Sequence, residues 1–201
     1  NLLVGMHVKD FEVLGDTAES YRALPELKVN YQTPWGKYLT FNLDSELAYF
    51  DSTSESAPKA TRFHVAPTVA LPLRSAWGEF VAETSLLQTI YKQENIQDTD
   101  LSEDVTRTLG QARLFGALYF EKDEAWFNKD MSMTLEPKIQ YLYTSYEDQT
   151  DIGQYDSTPL LTDVEGLFRG QEFTGLDRIS DNNQITLGLT TRMLDKNNRE
   201  Q

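Results

Sequence analysis

Odd and even positions differ in character along one segment after another of this chain. In Leu39–Tyr49 the odd positions are mostly apolar and the even ones mostly polar, and the pattern recurs in Met131–Tyr143 and Tyr21–Tyr31. Side chains on a strand point alternately to the two faces of a sheet, so each segment makes one oily face and one wet face. These runs reach or exceed the roughly 9–11 residues that a tilted strand needs to cross a bilayer, whereas ordinary strands have about 5–6. The periodicity predicts an all-β fold, an antiparallel up-and-down meander, whose oily face meets lipid instead of a core.

About eight strands are expected, near 2–12, 20–32, 37–50, 60–72, 78–92, 106–121, 131–145 and 183–195. Their connections alternate in length. Thr33–Gly36 and Leu73–Gly78 are compact, with glycine and proline in turn-favouring places. Gln93–Asp104 carries five acids and no base, and residues 146–182 form a connection far longer than compact domains usually tolerate without a function. Outer-membrane barrels have short periplasmic turns and long outside loops, so the long segment is expected to be extracellular. Charge sorts the same way: Lys37 and Arg74 sit at short turns, while Asp51, Glu55, Glu94, Asp98, Asp100, Asp151, Asp156 and Asp163 sit in the others. No Lys or Arg occurs between Ile139 and Phe168. Asp123–Asp130 reads as a connection of middle length and mixed charge. Pro25, Pro67 and Pro137 fall inside strands on the apolar face; proline cannot donate to a ladder, so bulges or distortions are expected there. Phe80–Tyr91 alternates poorly.

With the oily stripes turned to hydrocarbon, the wet stripes line a hydrated lumen. The lumen-facing candidates are Asn42, Asp44, Glu46, Arg62, His64, Glu136, Lys138 and Arg192. Apolar residues make up 39% of the 201, and no run approaches the ~18–20 of a membrane helix, which excludes a helical membrane protein but not a barrel. Ten Tyr, ten Phe and three Trp are a supply suited to interfacial girdles. A net charge of −14 argues against nucleic-acid binding. The absence of cysteine removes disulfides, thiolate metal sites and Cys nucleophiles. His7 and His64 lack companion motifs, and no phosphate loop, nucleophile elbow or zinc spacing occurs. The acidic connections suit hard cations in ligand type but match no EF-hand spacing. The residues therefore assign no catalytic group, metal or cofactor, and a non-enzymatic role is expected. The start at Asn1-Leu-Leu-Val, without initiator Met or basic n-region, suggests an internal piece or a mature product.

The long connection is unlike the others. Gly166–Gln184 combines Leu167, Phe168, Phe173, Leu176 and Ile179 with Arg169, Asp177, Arg178 and Asp181. A freely solvated loop has no use for Leu and Phe at that density, so it is expected to fold back and pack, as at a barrel mouth. Leu167, Phe168, Arg169, Phe173, Asp177, Arg178 and Asp181 are its packing candidates, with Arg178 pairing to Asp177 or Asp181. Structural plug and functional gate are equally open from the residues.

Leu167-Phe-Arg169, Phe173-Thr-Gly-Leu-Asp177-Arg178-Ile179 and Asn183-Gln184-Ile-Thr-Leu-Gly188-Leu-Thr-Thr191-Arg192 strongly resemble the lipopolysaccharide-assembly (LptD, organic solvent tolerance) family. Ala60–Pro67 with Leu71-Pro-Leu, Thr134–Tyr143 and Tyr146–Ser157 are similar to the same family, in its order. The resemblance implies a lipopolysaccharide translocon in the outer membrane of Gram-negative bacteria. It implies a periplasmic jelly-roll followed by a large barrel, plugged by the lipoprotein LptE, that places lipopolysaccharide in the outer leaflet through a seam between the first and last strands. This chain matches the middle of that barrel, without the jelly-roll, the seam or the family's structural cysteines. As an isolated arc it has two open edges, and is expected to close on itself, pair or aggregate. The implied partners are LptE, lipopolysaccharide, outer-membrane lipids and the rest of the barrel and jelly-roll. The rival reading is a self-contained soluble β-barrel or sandwich binding an apolar ligand, with its oily faces turned inward.

Overall fold

A computed structural model describes residues 1–9, 21–52, 54, 56–97, 99–126, 129–161, 163 and 166–195. They form one antiparallel sheet of nine strands. The strands are β1 (Leu2–Lys9), β2 (Tyr21–Trp35), β3 (Leu39–Ser52), β4 (Lys59–Ser75), β5 (Gly78–Glu94), β6 (Asp104–Leu118), β7 (Phe120–Trp126), β8 (Lys129–Thr144) and β9 (Asn182–Asp195). Each pairs with its neighbour in sequence except that β8 pairs with β6, β7 and β9 together, and β1 and β9 are open edges. The only helical element among the described residues is a 3-10 turn at Gly166–Phe168.

Nine strands replace the eight expected because one splits. β6 and β7 lie end to end on the same flank of β8, β6 pairing with Lys138–Thr144 and β7 with Lys129–Leu135. The ladder lapses opposite Glu136 and Pro137, where proline has no N–H to give, and the Tyr119 N–H turns instead to the Trp77 carbonyl at 2.9 Å. Asp123–Asp130, expected as a connection, is mostly strand: Trp126 pairs with Lys129 across residues 127–128, which lie outside the described residues. Short turns at 36–38 and 76–77 therefore share one end of the sheet with this third tight hairpin. Connections 53–58, 95–103 and 145–181 occupy the other end; connection 10–20 lies outside the described residues. Gly36, at φ +74°, supplies the left-handed residue of the first turn.

The other two prolines act differently. At Pro25 the pairing of β2 with β3 shifts by one residue, between Ala23 and Glu26. An extra residue reverses the faces, so the continuous odd-numbered stripe expected over Tyr21–Tyr31 is broken. Ala23 is buried beside Phe50 on the polar face, whereas Leu27 and Tyr31 stand exposed on the opposite one. At Pro67 the register of β4 against β5 holds on either side and only the local ladder is missing.

Alternation then sorts the sheet. Leu47, Phe63, Ile90, Leu114, Leu135, Ile139 and Leu187 stand exposed on one face, Ile139 at 51% and Leu187 at 73%. Glu46, Arg62, His64, Thr89, Arg107 and Gln140 are buried on the other, because the segment 145–181 lies over them. The poor alternation of Phe80–Tyr91 has the same cause: Tyr91 and Thr89 face the covered side, where a large ring can be buried.

Candidate functional site: the seat of the long connection

Arg62, on β4, is fully buried. A guanidinium out of water needs several acceptors, and Arg62 has three carboxylates. Its Nε donates to Glu46 on β3 at 3.1 Å; its Nη1 donates to Asp156 at 2.9 Å and Asp177 at 2.7 Å, and Nη2 makes the second arm to Asp156. The flat face of the group lies over the Phe50 ring, 4.6 Å from its centroid. Lys28 on β2 continues the network, 3.2 Å from Glu46 and 2.8 Å from Glu26.

Asp177 is fully buried as well and accepts four hydrogen bonds. Oδ1 takes Arg62 and the Tyr91 hydroxyl at 3.1 Å, and Oδ2 takes the backbone N–H groups of Tyr155 at 2.7 Å and Asp156 at 2.6 Å. Burial pushes its carboxyl above the ordinary range, with the Asp156 charge adding to that and Arg62 opposing it. Burial also pulls Asp156 upward, but the two-armed bond to Arg62 outweighs it and holds that carboxyl below the usual range. Two carboxylates share one guanidinium, and the one gripped by both arms takes the larger benefit.

Arg107, on β6, holds the same segment by its backbone. It donates to the carbonyls of Leu176 at 2.6 Å and Asp177 at 3.0 Å, to Gln149 Oε1 at 2.7 Å, and to Thr89 on β5 at 3.0 Å. Thr89 also meets His64 Nδ1 at 2.9 Å. Gln93 uses its whole amide: Nε2 donates to the carbonyls of Ser102 and Asp151, and Oε1 accepts from Gly153 N–H and the Tyr155 hydroxyl, all between 2.6 and 2.8 Å. The Tyr155 ring stacks on Phe50 at 5.4 Å and meets Tyr21 edge-on at 5.1 Å. Farther along, Phe168 meets Phe115 of β6 edge-on at 6.3 Å, and Thr186 of β9 donates to the Leu167 carbonyl at 3.1 Å.

The proposed lumen candidates all stand at positions of this face, in different surroundings. Glu46, Arg62 and His64 are buried beneath the connection. Asn42 and Asp44 are uncovered, Asp44 accepting from Asn30, and Glu136 lies 3.6 Å from Lys138. Arg192 is exposed on β9, opposite Thr134. Among the packing candidates, Phe168 and Asp177 anchor the segment. Phe173 bridges to Pro159, and Leu167 is half exposed. Arg169 pairs with Asp163 at 3.3 Å within the segment. Arg178 is not the partner of the Asp177 carboxylate: it donates to the carbonyls of Ile152 at 2.7 Å and Asp177 at 3.1 Å, because Arg62 already occupies that carboxylate. Asp181 is exposed. Tyr91, Gln93 and Arg107 were not singled out from the sequence. Their signal was indirect: for Arg107, an arginine at a wet position of a long strand, facing a connection whose first part, up to Phe168, carries acids and no Lys or Arg.

The arrangement has the chemistry of a structural seat. Arg62 is spent on carboxylates and Arg107 on carbonyl, amide and hydroxyl oxygens, and among the described residues no cluster of His, Cys, Asp and Glu is arranged to hold a metal ion. The family model described as LPS transport system D matches residues 1–201. The chain is 60% identical to the LPS-assembly protein LptD of Pseudoalteromonas atlantica over all of its length, 43% to that of Shewanella frigidimarina over 97% and 44% to that of Pseudoalteromonas translucida over 96%. The chain belongs to the LptD family. It spans 26% of the length of these curated relatives. Three of the four stretches that resemble LptD in the sequence meet in space: Ala60–Pro67 brings Arg62, Tyr146–Ser157 brings Asp156, and the run from Leu167 brings Asp177. Nine antiparallel strands left open at both edges suit an arc of an LptD barrel wall.

Proposed function

We propose that this chain is a stretch of barrel wall in the outer-membrane translocon that assembles lipopolysaccharide into the outer leaflet of Gram-negative bacteria. Its oily face lies against hydrocarbon. Its polar face borders the hydrated lumen, with Asn42, Asp44, Glu136, Lys138 and Arg192 on the wetted part. The connection 145–181 folds over that face at the extracellular end. In this reading the LptE plug, the remaining barrel strands and the periplasmic jelly-roll are its protein partners, and the role is passage, not catalysis. The chain's net charge of −14 disfavours tight retention of a polyanion, which suits passage.

The observation that carries the reading is the sorting of the two faces. Leu135 and Ile139 are 41% and 51% exposed, on the face away from the covering segment. A soluble sandwich would turn those side chains into a dry interior. Membership of the LptD family supports the choice of cargo.

Photocrosslinking in the full-length protein, with its partner bound, tests it. A benzophenone side chain at Asn42 or Glu136 is expected to capture lipopolysaccharide during active transport, and one at Leu135 or Ile139 to capture membrane lipid whether or not transport runs. Equal capture of lipopolysaccharide from both faces would count against the assignment.

A further inference from the structure

The tight hairpin turns at 36–38 and 76–77 fix how β2 meets β3 and how β4 meets β5. The pairings β3 with β4 and β5 with β6 are joined by the longer connections 53–58 and 95–103, which leave room for slippage. Nor does the oily face prevent it. Outward residues of β3 and β4 such as Leu43, Leu47, Phe63, Val65 and Val69 are interchangeable apolar groups. A one-residue slip would expose the wrong face, but a two-residue slip preserves the alternation and costs little burial.

The two buried arginines span these two pairings. Arg62 on β4 binds Glu46 on β3, and Arg107 on β6 binds Thr89 on β5. Both then reach the same short stretch, Leu176–Asp177. Arg62 stands opposite Ala48, so its bond to Glu46 already reaches across two residues. A slip that sets Leu47 against Val65 adds about 6.6–6.8 Å along the strand, takes Arg62 beyond reach of Glu46 and leaves a buried guanidinium short of its acceptors.

We propose that Arg62 and Arg107, with the connection 145–181 as their common acceptor, select strand register at the two pairings that the turns leave free. The seat is complete only when β3, β4, β5 and β6 are all in register, so docking of the connection reads the alignment of four strands at once. This inference rests on the barrel-wall reading only for the setting in which the strands assemble. Its test does not involve the cargo.

The experiment uses full-length protein assembled with its partner in membranes. It compares the parent with Arg62→Met and Asp177→Asn. Two cysteine pairs on the outer face report register by disulfide formation, mapped by peptide mass spectrometry: Leu47→Cys with Phe63→Cys, neighbours in the observed register, and Leu47→Cys with Val65→Cys, displaced by two. A third pair, Leu73→Cys with Phe80→Cys, reports the tightly turned β4/β5 hairpin. In the parent, 47–63 should dominate. In both variants 47–65 should rise at least several-fold relative to 47–63, while 73–80 is unchanged. Retention of 47–63 dominance in variants whose connection has become protease-sensitive would overturn the proposal, since the seat would then follow register without selecting it. Equal disturbance of 73–80 would also overturn it, as would variants too unstable to show 73–80. Transport of lipopolysaccharide, scored separately, bears on the function alone.

Discussion

Gly188 of β9 lies so close beneath the Phe168 ring that a β-carbon at position 188 would come within 2.8 Å of it. The glycine is needed for contact, since the ring occupies the space that any side chain would fill. Gly188→Val is therefore expected to expel Phe168 from its place beside Phe115. The amides of Leu160, Leu167 and Arg169 should lose hydrogen-exchange protection, while the Arg62 seat, built from residues on either side of this stretch, keeps its own. Protection lost equally at both places would show that the two anchors are one cooperative unit.

Gln93 offers a test without any change of charge. Gln93→Leu keeps the volume and removes four hydrogen bonds, orphaning the Gly153 N–H, the Tyr155 hydroxyl and the Ser102 carbonyl, while the Asp151 carbonyl keeps the Ser102 N–H at 3.3 Å. A buried polar group left unpaired costs about 1–3 kcal/mol. We predict that connections 95–103 and 145–181 loosen together, measured as coincident gain of proteolysis at the two sites. Loosening of only one would mean that Gln93 does not join them.

Acid should act on the seat in two opposite steps. Asp177 is pushed up to about 6, so between there and an ordinary aspartate value of about 4 the docked state holds the extra proton, and docking tightens as pH falls. Asp156 is held down at about 2, so below about 4 the undocked state takes the proton more readily and docking weakens toward pH 2. The connection is thus most firmly seated near pH 4. Spin-label distances from Leu161, on the exposed side of the connection, to Thr61 on the oily face of β4 would follow it. A steady tightening from pH 4 to pH 8 contradicts this assignment of the pair.

The two faces should respond oppositely to charge. Ile139→Lys places an ammonium on the oily face, where a charge at the bilayer midplane costs about 2–4 kcal/mol and progressively less toward the interfaces. Asn42→Lys, on the uncovered part of the polar face, should cost well under half of that. Urea unfolding of the full-length protein in lipid vesicles measures the difference, and equal losses would place both residues in the same solvent.

The strands were legible because period-two alternation is imposed directly by backbone geometry, and Leu39–Tyr49 and Met131–Tyr143 carry it plainly. Three features escaped for separate reasons. The reversal at Pro25 arises from a single extra residue, which moves Tyr21 and Ala23 across the sheet without changing composition. β7 is hidden because Glu121-Lys-Asp-Glu124 has no oily partner positions, and only pairing with β8 identifies it as strand. The seat joins residues 94 and 115 positions apart, Arg62 to Asp156 and to Asp177, a link that no local pattern records. What the sequence did expose was the demand on each side: apolar and acidic groups in a connection with no Lys or Arg before Arg169, and arginine at a wet position of a long strand. Arg178, expected to pair with Asp177 or Asp181, binds backbone carbonyls instead, because proximity in sequence is a poor guide once a distant guanidinium holds the Asp177 carboxylate.

The connection that begins after β8 touches strands from Tyr21 on β2 to Thr186 on β9. Such a brace stiffens the panel it crosses, and bending then concentrates where it does not reach. β1, the one strand outside this span with which none of the described bonds of the connection is made, is left as the compliant margin. On the barrel-wall reading proposed above, a wall that yields sideways would give beyond the braced panel, with these strands as the rigid jamb.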